Sequence, residues 1–313
     1  MGVDTINIGH LEVESPWGNA GGVAKQIEDV HALSQTGVGW IEGGSWTLEP
    51  RLGNGPNGEL VYVHDPETGE TLNALGMPNK GMDWLVRELP YMNDETRGKP
   101  LIVNVAPVSS SPVSETQELV TRAFDAGAYA VLLNAGCPNV PGKDKGRHEI
   151  LSSNADALRL VLAGLKDITE KYRPIFIRTT PIEKEQQLSE TAAVIAGSGV
   201  VSAVFTPNTW PVQPKENSPL EVPRGVGGRS GPITANKAII QAGQMRYYLD
   251  RMGGKSIDVV VSGGITSGAQ LQESMARTGA VAGAGTTFFY EANERWTDAV
   301  HTLLEDYLLA EEG

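Results

Sequence analysis

Short apolar runs alternate along the chain with longer segments in which apolar residues recur at helical spacing. The runs are rich in Val, Ile and Ala with few polar interruptions, a pattern typical of strands covered on both faces of a parallel sheet. The predicted strands are Trp17–Gly22, Gly39–Gly43, Leu101–Ala106, Tyr129–Asn134, Pro174–Arg178, Val201–Thr206, Ile257–Ser262 and Ala280–Gly285. The predicted helices are Ile27–Gln35, Glu115–Ala126, Asn154–Lys171, Glu183–Ala196, Ala235–Met252, Gly268–Thr278 and Asn293–Leu309.

Eight predicted strands, most of them followed by a helix, predict a (β/α)8 TIM barrel that forms a single domain over residues 1–313. An open, doubly wound sheet is the alternative, but the first strand-to-helix turn lacks the pattern G-x-G-x-x-G. Two stretches are longer than the repeat needs, Thr47–Met82 and Asn208–Pro223. Insertions after barrel strands lie over the catalytic mouth, so we expect both as inserted loops over the C-terminal mouth.

Charge and composition exclude several classes of function. A net charge of −13 argues against a nucleic-acid partner, because phosphate backbones require clustered Lys and Arg. No run approaches the ~18 apolar residues of a membrane span, and the first residues lack the features of a signal peptide. The five histidines show no metal-ligand spacing, so no metal is predicted. We therefore expect a cytoplasmic protein without a membrane partner.

Cys137 is the single cysteine of the chain and follows the predicted strand Tyr129–Asn134 directly. It lies where a buried strand opens into a loop, between Asn134 and Asn139, whose amides both donate and accept hydrogen bonds. A lone cysteine is more often a small core residue than a catalytic group. Its position makes Cys137 a candidate base, an assignment that needs support from other features of the sequence.

Two late glycine-rich segments predict a phosphate site. Val261–Gly268 follows a predicted strand and opens a helix, and Ala284–Thr287 is predicted to do the same after the last strand. Glycines let backbone N–H groups approach phosphate oxygens, and a helix N-terminus favours the negative charge. Barrels commonly bind phosphate with the loops after strands seven and eight. The barrel and the phosphate site alone would fit an aldolase or an isomerase with a phosphorylated substrate equally well.

Four segments accompany the two glycine loops in a fixed order along the chain: Asn19–Gly22, Asn73–Gly81, Leu133–Gly142 and Gly227–Pro232. Together they resemble the dihydroorotate dehydrogenase family, specifically its soluble class 1 branch. The resemblance runs from about Ser15 to Tyr307, and the asparagine-rich segments are its most specific part.

The resemblance implies a barrel with FMN across its top and the FMN phosphate in the final two loops. The family reaction takes a proton from C5 of dihydroorotate and passes hydride from C6 to flavin N5, with cysteine as base in class 1 and serine in membrane-associated class 2. By resemblance, Cys137 is the base, and the substrate-binding residues are Asn73, Met77, Asn134, Asn139, Asn208 and Thr209. The implied FMN-binding residues are Ala20, Gly21, Gly44, Ser45, Asn104, Asn134, Arg178, Gly228, Gly263, Gly264, Gly285 and Thr286.

The chain departs from the family pattern at its cations. The stretch Trp40–Thr47 lacks the family's strand-two lysine, and Lys25 is not placed in the site by sequence alone. Arg178 replaces a second lysine, which keeps the charge but changes shape and hydrogen bonding. Glu42 is either an acid of the site or a salt-bridged rim residue.

The aromatic residues Trp46 and Trp210 either pack loops or reshape the pocket for another substrate. The leading function is therefore an FMN oxidoreductase acting on CH–CH groups, with dihydroorotate or another small ring or enone as substrate. The alternatives are a flavin-free phosphate-binding lyase or isomerase and a non-catalytic FMN-binding barrel. The resemblance implies a role in pyrimidine biosynthesis and a homodimer, and it leaves the electron acceptor and the direction of the reaction open.

Overall fold

The computed structural model of the protein describes residues 6–55, 57, 61–137, 150–171, 174–212 and 227–285. The strands are β1 (Ile6–Ile8), β2 (Leu11–Val13), β3 (Trp17–Asn19), β4 (Ile41–Trp46), β5 (Tyr62–His64), β6 (Thr71–Asn73), β7 (Leu101–Val105), β8 (Ala130–Asn134), β9 (Ile175–Arg178), β10 (Val201–Thr206), β11 (Trp210–Val212), β12 (Gly227–Ser230), β13 (Asp258–Ser262) and β14 (Ala282–Gly285). The helices are α1 (Ile27–Ser34), α2 (Met82–Asp94), α3 (Pro112–Asp125), α4 (Ala155–Gly164), α5 (Lys166–Lys171), α6 (Glu185–Ser198), α7 (Ala235–Arg251) and α8 (Gly268–Thr278).

Eight parallel strands form the central sheet in the order β3-β14-β13-β10-β9-β8-β7-β4. A parallel bridge between Gly18 and Trp40 joins the two end strands, so the sheet closes nearly completely. All eight predicted strands are present, most of them one or two residues shorter than predicted. The predicted TIM barrel is confirmed.

Side chains alternate between the two faces of each barrel strand and so build two cores. The inner core fills the barrel and includes the buried residues Trp40, Ile102, Leu132 and Phe176. The outer core lies between the strands and the helices. Two positions after each of these four residues, on the same inner face, lies a polar residue: Glu42, Asn104, Asn134 and Arg178. The sequence therefore closes the barrel interior with a polar layer at its C-terminal end.

Helix α2 was not predicted, although its signal is present. Met82, Leu85, Leu89 and Met92 are all buried and recur at intervals of three and four residues. The predicted helix Asn154–Lys171 is instead divided into α4 and α5. The predicted helix Asn293–Leu309 lies outside the described residues. Among the helices that the structure describes, none is long and apolar enough to cross a membrane.

Both predicted insertions contribute to one small antiparallel sheet in the order β11-β12-β6-β5. The first insertion supplies β5 and β6 and the second supplies β11, whereas β12 follows the second insertion and joins the two, with Gly228 paired to Asn73 and Arg229 paired to Trp210. This sheet contributes to the cavity at the C-terminal ends of the barrel strands. The expectation of inserted segments over the C-terminal mouth is confirmed. At the opposite end, the β1–β2 hairpin contacts the start of β13 through Gly9 N and Asp258 Oδ2 at 2.7 Å.

Candidate active site

One open cavity lies between the C-terminal ends of the barrel strands and the small antiparallel sheet. It encloses about 1080 Å³ when its open mouth is included. Most of the predicted site residues lie on its walls. These are Ala20, Gly21, Ser45, Asn73, Met77, Asn134, Cys137, Arg178, Asn208, Thr209, Gly263, Gly264 and Gly285.

Three other predicted residues lie behind these walls. Asn104 Nδ2 donates a hydrogen bond to the Glu42 carboxylate beneath the cavity. The backbone carbonyl of Gly228 accepts a hydrogen bond from Asn73 Nδ2 at 3.3 Å. Gly44 exchanges backbone hydrogen bonds of 2.9 Å with the segment after β3. Asn139 and Thr286 lie outside the described residues, so their predicted roles remain predictions.

Cys137 lies at the cavity just after β8, half-buried. The side chain of Asn134, at the end of the same strand, donates to Ser45 Oγ at 2.9 Å and accepts from Gly136 N at 3.2 Å. Asn208 Nδ2 lies 3.5 Å from Asn134 Oδ1, which is at the limit of a hydrogen bond. The thiol and these amides therefore lie together in one cavity, as the sequence predicted.

Lys25 also lines this cavity, although the sequence did not place it there. The segment after β3 is held against β4 by Gly22 N donating to Gly44 O, and Lys25 follows it. Asp29 Oδ2 accepts from Lys25 N at 2.8 Å, and Lys25 Nζ donates to Pro78 O at 2.5 Å. The loop after β3 therefore supplies a cation, Lys25, to the cavity wall, although β4 carries no lysine. A cationic residue shortly after the Asn19–Gly22 segment was the available signal.

The ammonium of Lys25 is only partly stabilised as a cation. Burial lowers the pKa of Lys25 to about 8, while the negative charges of Cys137 and Asp29 act in the opposite direction. Burial likewise lowers the pKa of Arg51, again against the influence of Cys137. Two cations therefore favour a negative sulfur at Cys137, and one of them, Lys25, has a pKa of about 8.

At the barrel end of the cavity, Glu42, Asn104 and Arg178 form a buried polar cluster. Arg178 Nη1 and Nη2 donate to Glu42 Oε1 and Oε2 at 2.6 and 2.7 Å, and Asn104 Nδ2 donates to Glu42 Oε1 at 2.6 Å. The Glu42 side chain is 0% exposed and that of Arg178 4%. Glu42 is therefore an interior ion-pair partner, and the interpretation as a rim residue is wrong.

The glycine loop after β13 has space for a ligand. Gly263 lines the cavity at a φ of +97°, and a Cβ built there would meet no atom within 4 Å. Gly264 has a φ of +78°, and its Cβ would lie 2.5 Å from the backbone of Ala235. Helix α8 begins just beyond, with Ser267 Oγ accepting from Gln270 N at 3.3 Å. This arrangement suits a phosphate group near a helix N-terminus.

The two tryptophans have different roles. Trp46 is fully buried in the outer core and stacks on Trp84, with ring centroids 5.3 Å apart. Trp210 lines the cavity, and Lys237 Nζ lies 5.1 Å from its ring centroid. The packing interpretation is therefore correct for Trp46, whereas Trp210 shapes the pocket.

Comparisons with known proteins agree with this geometry. A quinone-type dihydroorotate dehydrogenase of Delftia acidovorans is 27% identical over 278 residues, covering 85% of this chain and 75% of that protein. The quinone-type enzyme of Pseudomonas aeruginosa is 26% identical over 307 residues, covering 95% and 85%. The solved structure of the Eimeria tenella enzyme in complex with ferulenol has a TM-score of 0.79 at 20% identity, covering 97% and 83%, and supports the fold.

The relatives named are quinone-type enzymes, so the more specific assignment to the soluble class 1 branch stays a prediction. The family-level resemblance is confirmed, because the family model for dihydroorotate dehydrogenase matches residues 4–308. With the barrel, the cavity and this match together, the chain belongs to the dihydroorotate dehydrogenase family and is a flavin oxidoreductase acting on CH–CH groups.

Proposed function

We propose that this protein is an FMN-dependent enzyme that oxidises dihydroorotate, with Cys137 as the base. The observation that carries the proposal is that Cys137, Asn73, Asn134 and Asn208 line the same cavity as the Gly263 loop. A group that removes a proton and a loop suited to a phosphate therefore face one cavity.

The residues present fit a flavin mononucleotide. The open space at Gly263 would accept a phosphate group, and the barrel end offers polar atoms without partners. Asn104 Oδ1 and Arg178 Nε are buried and have no hydrogen-bond partner among the described residues. Orphaned buried polar atoms are costly unless a ligand satisfies them. The bound cofactor would supply the hydride acceptor.

The chain's own groups perform the proton transfer and hold the substrate. Cys137 Sγ, as thiolate, accepts the proton from the carbon next to the one that loses hydride. The nearby cations Lys25 and Arg51 favour that thiolate. Asparagine amides can match the alternating donors and acceptors of a dihydropyrimidine ring, and Asn73, Asn134 and Asn208 lie on the walls to do so.

Lys25 supplies the cation that β4 lacks. Its ammonium is anchored on Pro78 O beside Met77, another wall residue. A carboxylate of the substrate placed there would gain a charge-assisted hydrogen bond, worth ~1.5–3 kcal/mol. The cavity therefore suits an anionic ring, which supports dihydroorotate over a neutral substrate.

A second candidate, another small ring or enone, is favoured by Trp210. Its indole N–H is buried without a partner among the described residues, and its ring occupies part of the cavity wall. A substrate with an extra acceptor at that point would satisfy it. This reading keeps the same flavin and the same base.

The test is turnover of L-dihydroorotate by FMN-loaded protein, with orotate measured as product. A soluble quinone is the acceptor to try first, since the named relatives are quinone-type enzymes. We expect orotate formation that depends on the quinone. FMN-loaded protein that forms no orotate would favour the second candidate, and protein that binds no FMN would favour a lyase or isomerase.

The homodimer, the cytoplasmic location and the role in pyrimidine biosynthesis are part of the same proposal. The first two are checked by sedimentation and by fractionation of the source cells. The third is checked by complementation of a strain that requires a pyrimidine supplement.

A further inference from the structure

The barrel end of the cavity presents a charge pair instead of a free cation. Arg178 lines the cavity, and the carboxylate of Glu42 lies directly beneath the wall at Gly21, where an added Cβ would stand 2.7 Å from Glu42 Oε1. Both guanidinium Nη atoms are bound by that carboxylate at 2.6–2.7 Å. Bidentate pairs of this kind fix orientation as well as charge.

The other cations on the walls differ from Arg178 in their partners. Arg229 Nε lies 2.6 Å from Glu70 Oε1, but these side chains are 33% and 22% exposed. Lys25 binds a backbone carbonyl. Arg178 alone combines an ion pair with nearly complete burial, where charges act strongly because water is excluded.

Reduction of a flavin by two electrons and one proton leaves negative charge on its ring, which a nearby cation stabilises. A free guanidinium at the cavity wall would therefore make the bound flavin a stronger oxidant. A carboxylate held against that guanidinium cancels most of this effect.

We propose that Glu42 sets the redox potential of the bound flavin by neutralising Arg178 at the barrel end of the cavity. Glu42 acts by its negative charge, which opposes the field of the Arg178 guanidinium at the cavity wall. The bound flavin is consequently a weaker oxidant than an unpaired Arg178 would make it. This inference rests on the proposed FMN site.

The test is a charge series measured as midpoint potentials of FMN-loaded protein under anaerobic conditions. Glu42→Gln makes the cluster net positive, Arg178→Gln makes it net negative, and the double variant restores neutrality. We expect Glu42→Gln to raise the reduction equilibrium constant ~10-fold or more, equivalent to about 30 mV per tenfold for two electrons. Arg178→Gln should lower it by a similar factor.

The double variant makes the series decisive. We expect its potential to lie near that of the unaltered protein and above that of Arg178→Gln. Equal potentials for Arg178→Gln and the double variant would overturn the proposal, because Glu42 would then act only on folding. Glu42→Gln leaves a buried charge unpaired and could fail to fold for that reason. In that case the comparison of Arg178→Gln with the double variant still tests the proposal.

Glu115→Gln is the matched control. Glu115 is also a buried carboxylate, but it accepts from the backbone N–H groups of Val108 and Ser109, outside the cavity walls. Its substitution should leave the potential unchanged. Failure of the proposed function is distinguishable, because protein without FMN gives no potential, whereas failure of this inference gives bound FMN whose potential does not depend on the residue at position 42.

Discussion

The polar groups at the two ends of the cavity differ in their burial and in their hydrogen bonds. At the barrel end, Glu42, Asn104 and Arg178 are buried and locked by hydrogen bonds of 2.6–2.7 Å. At the open end, Asn208 meets Asn134 at 3.5 Å, and Lys25 is anchored by one carbonyl. A locked end suits a group that stays bound. An end with half-buried amides and a titratable amine suits a substrate that arrives and leaves.

The largest effect is expected at Cys137, whose substitution should change the reaction rate without changing cofactor binding at the barrel end. Cys137→Ser should lower the rate of dihydroorotate oxidation ~100-fold or more, since a positioned base contributes about 10²–10⁴-fold. FMN content should not change, because the barrel end is untouched. Rapid-mixing absorbance and cofactor quantitation measure both.

Iodoacetamide provides an independent check on the same residue. Cys137 is the single cysteine of the chain, so any loss of activity on alkylation reports on it. The reagent should inactivate the unaltered protein and leave the residual activity of Cys137→Ser as it was. Equal turnover of the two proteins before alkylation would remove Cys137 from the role of base.

The next largest effect is expected at Lys25. Lys25→Met should raise KM for dihydroorotate about 10–100-fold with little change in FMN binding, because one charge-assisted hydrogen bond is lost. Lys99→Met is the matched control, since burial also lowers the pKa of Lys99, which lies outside the cavity walls. A similar rise in KM for both variants would show that Lys25 has no particular role.

The pH dependence sharpens this prediction. The pKa of Lys25 is about 8, so its charged form is present below that pH and lost above it. KM for the anionic substrate should therefore rise as the pH increases through about 8. In Lys25→Met this rise should disappear, which a pH series of initial rates would show.

The smallest effect is expected from substitution of the two tryptophans, which should distinguish a role in packing from a role in substrate contact. Trp210→Phe should change KM a few-fold and shift preference among ring substrates, with little change in Tm. Trp46→Phe should lower Tm by several degrees, because a buried and stacked ring is reduced, while KM stays constant. The reverse pattern would contradict the assigned positions.

The sequence was sufficient for the barrel and for much of the cavity. Parallel strands covered on both faces have near-continuous apolar runs, and β10 (Val201–Thr206) matches its prediction residue for residue. The small antiparallel sheet was not predicted, because its strands are three or four residues long and its central pair, β6 and β12, is formed over a long separation. Asn73 meets Gly228 across 155 positions of sequence.

The two polar features that define the cavity ends also depend on long-range contacts. Glu42 and Arg178 are 136 positions apart, so no local pattern indicates their pairing. Lys25 enters the site because the loop after β3 lies against β4, a consequence of barrel closure. The residue types were visible in the sequence, but their partners followed from the fold.

The most direct test of the account is the anaerobic absorbance spectrum of FMN-loaded protein before and after L-dihydroorotate is added. We expect rapid bleaching of the flavin band in the unaltered protein and bleaching slowed ~100-fold or more in Cys137→Ser. A flavin band that dithionite bleaches but L-dihydroorotate leaves unchanged would contradict it.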